Sequence, residues 1–115
     1  MTFEVRRYTS ADGVDRFGEW FEALADRQAQ ARVRARLDRL ERGLFGDFEF
    51  CGEGVWELRI DWGPGYRVYY ARSGKQIILL LLGGDKRKQQ ADIKQAKEYW
   101  RDYQERTKTQ AKRTR

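Results

Sequence analysis

The sequence predicts an α+β fold: an N-terminal strand and a helical hairpin packed on one face of a mostly antiparallel four-stranded sheet, closed by a C-terminal helix. Three observations predict it. Apolar residues recur at helical spacing in two early stretches, Val14/Phe17/Phe21/Leu24 and Val33/Leu37/Leu40/Leu44. From Val55 the period changes to two and persists through two glycine-containing turns. Beyond Asp85 the helical period returns with Ile93, Ala96, Trp100 and Tyr103. Helices that flank a run of consecutive strands give a layered α+β domain rather than alternating βαβ units.

Each element has its own reason. Phe3-Glu4-Val5-Arg6-Arg7-Tyr8 alternates and reads as an opening strand. Ser10 or Asp12 is placed to cap the first helix. The second helix carries Arg32, Arg34, Arg36, Arg39 and Arg42 away from its apolar stripe, and Gly43 is a natural stop. The polar-aromatic passage from Gly46 to Gly54 has room for a short strand around Phe48 to Cys51.

In the strand that follows, Trp56, Leu58, Ile60 and Trp62 point one way and Glu57, Arg59 and Asp61 the other. Gly63-Pro64-Gly65 turns the chain back. Tyr66 to Arg72 then puts Val68 and Tyr70 on one face, Arg67 and Tyr69 on the opposite one. After Ser73-Gly74 comes Lys75 to Leu82, apolar at every position from 77 to 82 and expected to be central and covered on both faces. The hairpin covers the Trp56/Leu58/Ile60/Trp62 side, so the Arg59/Arg67/Tyr69 side is expected to be open or partly covered, and ligands would arrive there.

The chain of 115 residues is long enough for one domain, expected over residues 1–106, with 107–115 as a basic tail that frays. Hydrophobic residues at 40% and aromatics at 14% exclude a disordered chain. The net charge of +6 is lopsided: from position 86 onward eleven Lys/Arg face four acids, whereas the first 85 residues are nearly neutral. Such an end is either a solubilising face or an electrostatic footprint for a polyanion or an acidic partner. Cys51 is the sole cysteine and no histidine occurs, which removes an internal disulfide, a cysteine-built zinc site and an activated thiol. Met1 to Arg7 lacks the apolar stretch of a signal peptide, and Ile77 to Leu82 is too short to span a bilayer, so a soluble, cytoplasmic protein is expected.

Four blocks in order, Glu57-Leu58-Arg59-Ile60, Gly65-Tyr66-Arg67-Val68-Tyr69-Tyr70, Leu80-Leu81-Leu82-Gly83-Gly84-Asp85-Lys86 and Gln89/Gln90-Ala91-Asp92-Ile93, carry a resemblance. Together with the helical hairpin they resemble the HigB-like addiction-module killer proteins of the RelE/ParE toxin superfamily, over roughly residues 3–105. The resemblance implies a type II toxin that cleaves messenger RNA on the translating ribosome and is held inactive by a helix-turn-helix antitoxin. It places Arg67 at the arginine of the Gly-Tyr-Arg strand, Arg59 at a basic position on the strand before, and Lys86 near a basic position past the last strand. Asp92 falls at or near the position where RelE has a tyrosine.

The side chains suit such chemistry. Cleavage by the 2′-hydroxyl needs a base, stabilisation of the crowded phosphorane, and an acid for the departing 5′-oxygen. Arg59 and Arg67 fit the second task, since a guanidinium clasps phosphate oxygens at two points. Lys86, crowded by two arginines, is a candidate base or acid, and Tyr69 is placed to stack on a nucleobase or donate a proton. Asp92 is placed to accept a proton or to cap the last helix. Arg87, Lys88 and Lys94 are the candidate RNA-gripping cations. The blander readings are a cross-strand ion pair of Arg59 with Glu57 or Asp61, and a solvated charge at Lys86. Neither a metal nor another cofactor is expected: without histidine only scattered carboxylates remain, and no phosphate-loop or dinucleotide glycine pattern occurs. Two other classes stay open, a ParE-like gyrase poison and a binding module without catalysis.

Overall fold

The computed structural model describes residues 2–113, with side chains up to position 110. In chain order these form β1 (Glu4–Arg7), α1 (Arg16–Ala23), α2 (Arg27–Glu41), β2 (Phe48–Gly52), β3 (Val55–Ile60), β4 (Tyr66–Ser73), β5 (Ile77–Asp85), a 3-10 turn (Lys86–Lys88) and α3 (Gln89–Arg113). The strands make one sheet in the order β1-β5-β4-β3-β2. Only β1 runs parallel to its neighbour; the other pairings are antiparallel. The sheet therefore has five strands rather than four. The extra one is β2, whose alternation is hidden in the sequence because Phe48 and Phe50 are both exposed at the sheet's edge.

Both early helices start at aspartates. The Asp15 carboxylate accepts from Gly18 N–H at 2.9 Å, so Asp15 rather than Ser10 or Asp12 caps α1. Asp26 does the same for α2 through Gln28 and Ala29, and also accepts from Trp62 Nε1 at 3.1 Å, which ties the hairpin to the end of β3. The hairpin buries Phe17, Val33 and Leu40 against Leu58, Ile60, Val68, Tyr70, Ile78 and Leu80. Burying such side chains, at roughly 1.5–3 kcal/mol each, is what holds this layer together.

The opposite face is not left open. Ala96 and Trp100 of α3, with Tyr8, pack on Val55, Tyr69, Ala71, Leu79 and Leu81. The fold is thus three layers, hairpin–sheet–helix, and β5 is covered on both sides as its unbroken apolar run predicts. The end of α3 is clasped to the loop after β1: Tyr8 Oη donates to Asp102 at 2.6 Å, and Arg106 donates to Asp102 and to the Thr9 carbonyl. The segment expected to fray is helical through Arg113, and residues 114–115 lie outside the described residues. Among the described residues no helix is long and apolar enough to cross a membrane.

Candidate functional site

Strand register builds the site. Arg59 and Arg67 are direct partners across the β3–β4 ladder, so both side chains stand on the α3 side of the sheet. Glu57, two residues before Arg59, shares that face and lies opposite Tyr69. Its carboxylate is fully buried and lies 2.8 Å from Arg59 Nε and 3.7 Å from Arg67 Nε. Gln89, at the start of α3, donates to its other oxygen at 2.7 Å. A buried charge survives only with partners of this kind. Without Glu57, two guanidinium groups on adjacent strands would repel each other.

The two arginines differ in reach. The Arg67 side chain is 11% exposed and the Arg59 side chain 32%. Arg67 donates from Nη1 to the Tyr66 carbonyl at 3.2 Å, while its Nε has no hydrogen-bond acceptor among the described residues. Arg59 is held from a second side as well, since its Nη2 pairs with exposed Glu49 on β2. Both carboxylates favour the charged guanidinium: the hydrogen bond to Glu57, then the nearby charges of Glu57 and Glu49, push the Arg59 pKa up.

Lys86 joins the arginines through Gly65. The Lys86 N–H donates to the Gly65 carbonyl at 2.9 Å, which anchors the end of β5 to the turn before β4. A Cβ on Gly65 would lie 3.4 Å from Arg67 Nη1 and 3.5 Å from Lys86 Cβ, so both side chains pass over this glycine, which also adopts φ +82°. The Lys86 side chain is exposed. Three cations therefore surround one end of the sheet, as their positions in the sequence predict.

Asp92 reaches the same face by a backbone irregularity. Tyr69 pairs with Leu82 and Tyr70 with Leu80, leaving Leu81 as an extra residue in β5. This bulge turns Gly83 toward the hairpin, where the Trp20 indole packs on it, and Gly84 toward α3, opposite Arg67. Asp92 occupies the space a side chain at Gly84 would fill. Its Oδ2 is buried without a hydrogen-bond partner among the described residues. Burial pushes the Asp92 pKa up, Lys88 pulls it back, and Asp85 adds to the rise. A carboxyl so placed holds its proton more readily than an ordinary aspartate, which is the property a general acid needs.

Tyr69 is a correction. It is fully buried beneath α3, so it offers no ring face to a nucleobase. Its hydroxyl has no hydrogen-bond partner among the described residues, and burial, followed by the charges of Glu57 and Asp92, raises its pKa and keeps it a neutral phenol. Arg87 is exposed but engaged with Asp85, with Nη2 at 2.8 Å and Nε at 3.2 Å from the carboxylate. Lys88 is exposed beside Asp92, and Lys94 is exposed on the outward side of α3, away from Ala96 and the sheet. Of the candidate RNA-gripping cations, Arg87 and Lys88 flank the site and Lys94 does not. Burial pushes the Cys51 thiol up to about 11, which fits a packing role.

Glu57 entered the sequence reading only as a local ion-pair partner. The signal for more was present: a carboxylate at the same parity as two arginines on adjacent strands is drawn between them. Gln89 and Glu49 gave no such signal, because their contacts depend on where α3 begins and on the pairing of β2.

Residues 19–101 match the family described as phage derived protein Gp49-like (DUF891). This span contains most of α1, all of α2, and Arg59, Arg67, Lys86 and Asp92. An uncharacterized protein of Haemophilus influenzae (strain ATCC 51907 / DSM 11121 / KW20 / Rd) is 47% identical over 81 residues, which cover 70% of this chain and 82% of that protein. The chain belongs to the phage-derived Gp49-like family.

Proposed function

We propose that this protein is the toxin of a type II toxin–antitoxin pair, of RelE/HigB type, acting as a metal-independent endoribonuclease on messenger RNA at the ribosome. Membership of the Gp49-like family, a toxin-like one, supports the general class. The single observation that carries the finer reading is the opposed Arg59–Arg67 pair, ordered by Glu57 and flanked by exposed Lys86. Arg59 and the tip of Arg67 clasp the phosphate and stabilise the charge that grows on its equatorial oxygens, a contribution of roughly 3 kcal/mol per well-placed donor. As the 2′-oxygen bonds to phosphorus and the bond to the 5′-oxygen breaks, Lys86, the most accessible of the three, takes the 2′-hydroxyl proton and Asp92 gives its carboxyl proton to the departing 5′-oxygen. The ribosome orients the RNA for in-line attack, which a site this shallow does not do unaided. A helix-turn-helix antitoxin is the proposed partner and the cytoplasm the proposed compartment.

One observation favours a second reading, a toxin or binding module without catalysis. Tyr69 is sealed and Asp92 is half-buried, so Lys86 is the one freely exposed proton-transfer candidate among the residues assigned to the site. Primer extension on a reporter transcript, with and without translation, separates the two. New 5′ ends that need translation support the nuclease. Growth arrest with intact transcripts supports the second reading.

A further inference from the structure

Arg59 is gripped by two carboxylates that differ in every physical respect. Glu57 is fully buried, hydrogen-bonded to Arg59 Nε at 2.8 Å, and fixed from its other oxygen by Gln89. Glu49 lies on the edge strand with its side chain 58% exposed, and it meets Nη2 of the same guanidinium. The inner carboxylate cannot leave without stranding charge in the protein interior. The outer one loses little on returning to water, because exposed ion pairs are weak.

We infer that Glu49 is a displaceable stand-in for phosphate, occupying Nη2 of the half-buried Arg59 until a phosphodiester takes its place, while Glu57 is the permanent positioning residue. This rests on the proposal that Arg59 binds phosphate. The geometry supports the exchange. A carboxylate and a phosphate present the same pair of oxygens to a guanidinium fork. Nε is already taken by Glu57, so the fork left for a two-point clasp is Nη1 with Nη2, and Glu49 sits on its Nη2 arm. Among the described residues Arg67 has no equivalent outer carboxylate: its Nη1 is held by a backbone carbonyl, and its ion pair is with Glu57 at 3.7 Å. Glu49 therefore acts on one arginine of the pair. It sets a threshold that an isolated anion meets poorly and a polyanion, supplying neighbouring phosphates to Arg67 and Lys86, meets well.

The two carboxylates should respond in opposite directions. Binding is measured by fluorescence anisotropy at low salt with a short, uniformly 2′-O-methylated single-stranded RNA, which cannot be cleaved by its own 2′-hydroxyl. Glu49→Gln should tighten binding about two- to fivefold, the range that release of one exposed ion pair allows. Glu57→Gln should weaken binding, because Arg59 and Arg67 then lose the charge that aligns them. Glu49→Gln that leaves affinity unchanged or lowers it overturns the inference, as does wild-type protein that fails to bind at all. Because Glu49 is exposed, its variant does not put folding at stake, and circular dichroism checks this. If Glu49→Gln binds more tightly but wild type cleaves no substrate, the stand-in role survives and the nuclease proposal fails alone.

Discussion

Arg59 and Arg67 face each other across β3 and β4, and the Glu57 carboxylate stands between them at 2.8 Å from one Nε and 3.7 Å from the other. This arrangement lets two like charges share one face of a sheet, and it makes the site and the core interdependent. Glu57→Ala would leave Arg67 nearly buried without its counter-charge. Equilibrium urea unfolding should show a loss of about 3–5 kcal/mol, the usual cost of breaking a buried ion pair by removing one partner. A loss below about 1 kcal/mol would mean that the guanidinium groups are solvated well enough to need no partner.

Gly84 and Asp92 form a second dependent pair. A side chain at Gly84 would occupy the space that the Asp92 carboxylate fills. Gly84→Ala should destabilise the protein by about 1–3 kcal/mol, as overpacking does. Adding Asp92→Ala should return part of that loss, giving a coupling that thermal unfolding of the single and double variants would reveal. Simple additivity would show that the bulge at Leu81 does not aim Gly84 at Asp92.

Asp92 also has a pH signature. Its pKa is raised in the folded protein, chiefly by burial, so the folded state binds its proton more tightly than the unfolded state does. The sign follows from linkage: this group's contribution to stability falls as pH rises above the ordinary carboxylate value of about 4 and through the raised folded value. Asp92→Asn removes that contribution. The difference in Tm between Asp92→Asn and wild type should favour the variant increasingly from acidic to neutral pH. A constant difference would place the Asp92 carboxyl in water.

Tyr69→Phe removes a buried hydroxyl that has no hydrogen-bond partner among the described residues. Stability should be unchanged or rise by up to about 1 kcal/mol, and cleavage should persist. Loss of cleavage with the fold intact would restore Tyr69 to the chemistry.

Much of this was legible before any coordinates. Period-two alternation around Leu58 and Val68 assigned Arg59, Arg67 and Tyr69 to one face, and the register confirms that grouping. The stripe Ile93/Ala96/Trp100/Tyr103 identified the buried side of α3. It could not say which surface α3 would cover, and that choice turned Tyr69 from a surface residue into a core one. The run from Ile77 to Leu82 has no parity, because every side chain is apolar. The bulge at Leu81, and with it the positions of Gly83, Gly84 and Asp92, left no mark in the sequence. The strand β2 escaped full recognition for a related reason: an edge strand with both phenylalanines exposed lacks the contrast between inward and outward residues.

The most direct test of the account is the chemistry of the cut RNA ends, read on reporter transcript from a translating ribosome fraction, treated with the purified protein and compared with the Arg67→Ala variant. Attack by the 2′-hydroxyl, with guanidinium groups bearing the charge, predicts upstream fragments ending in a 2′,3′-cyclic phosphate for wild type and none for the variant. Upstream fragments ending in a free 3′-hydroxyl, or fragments equally abundant with Arg67→Ala, would contradict it.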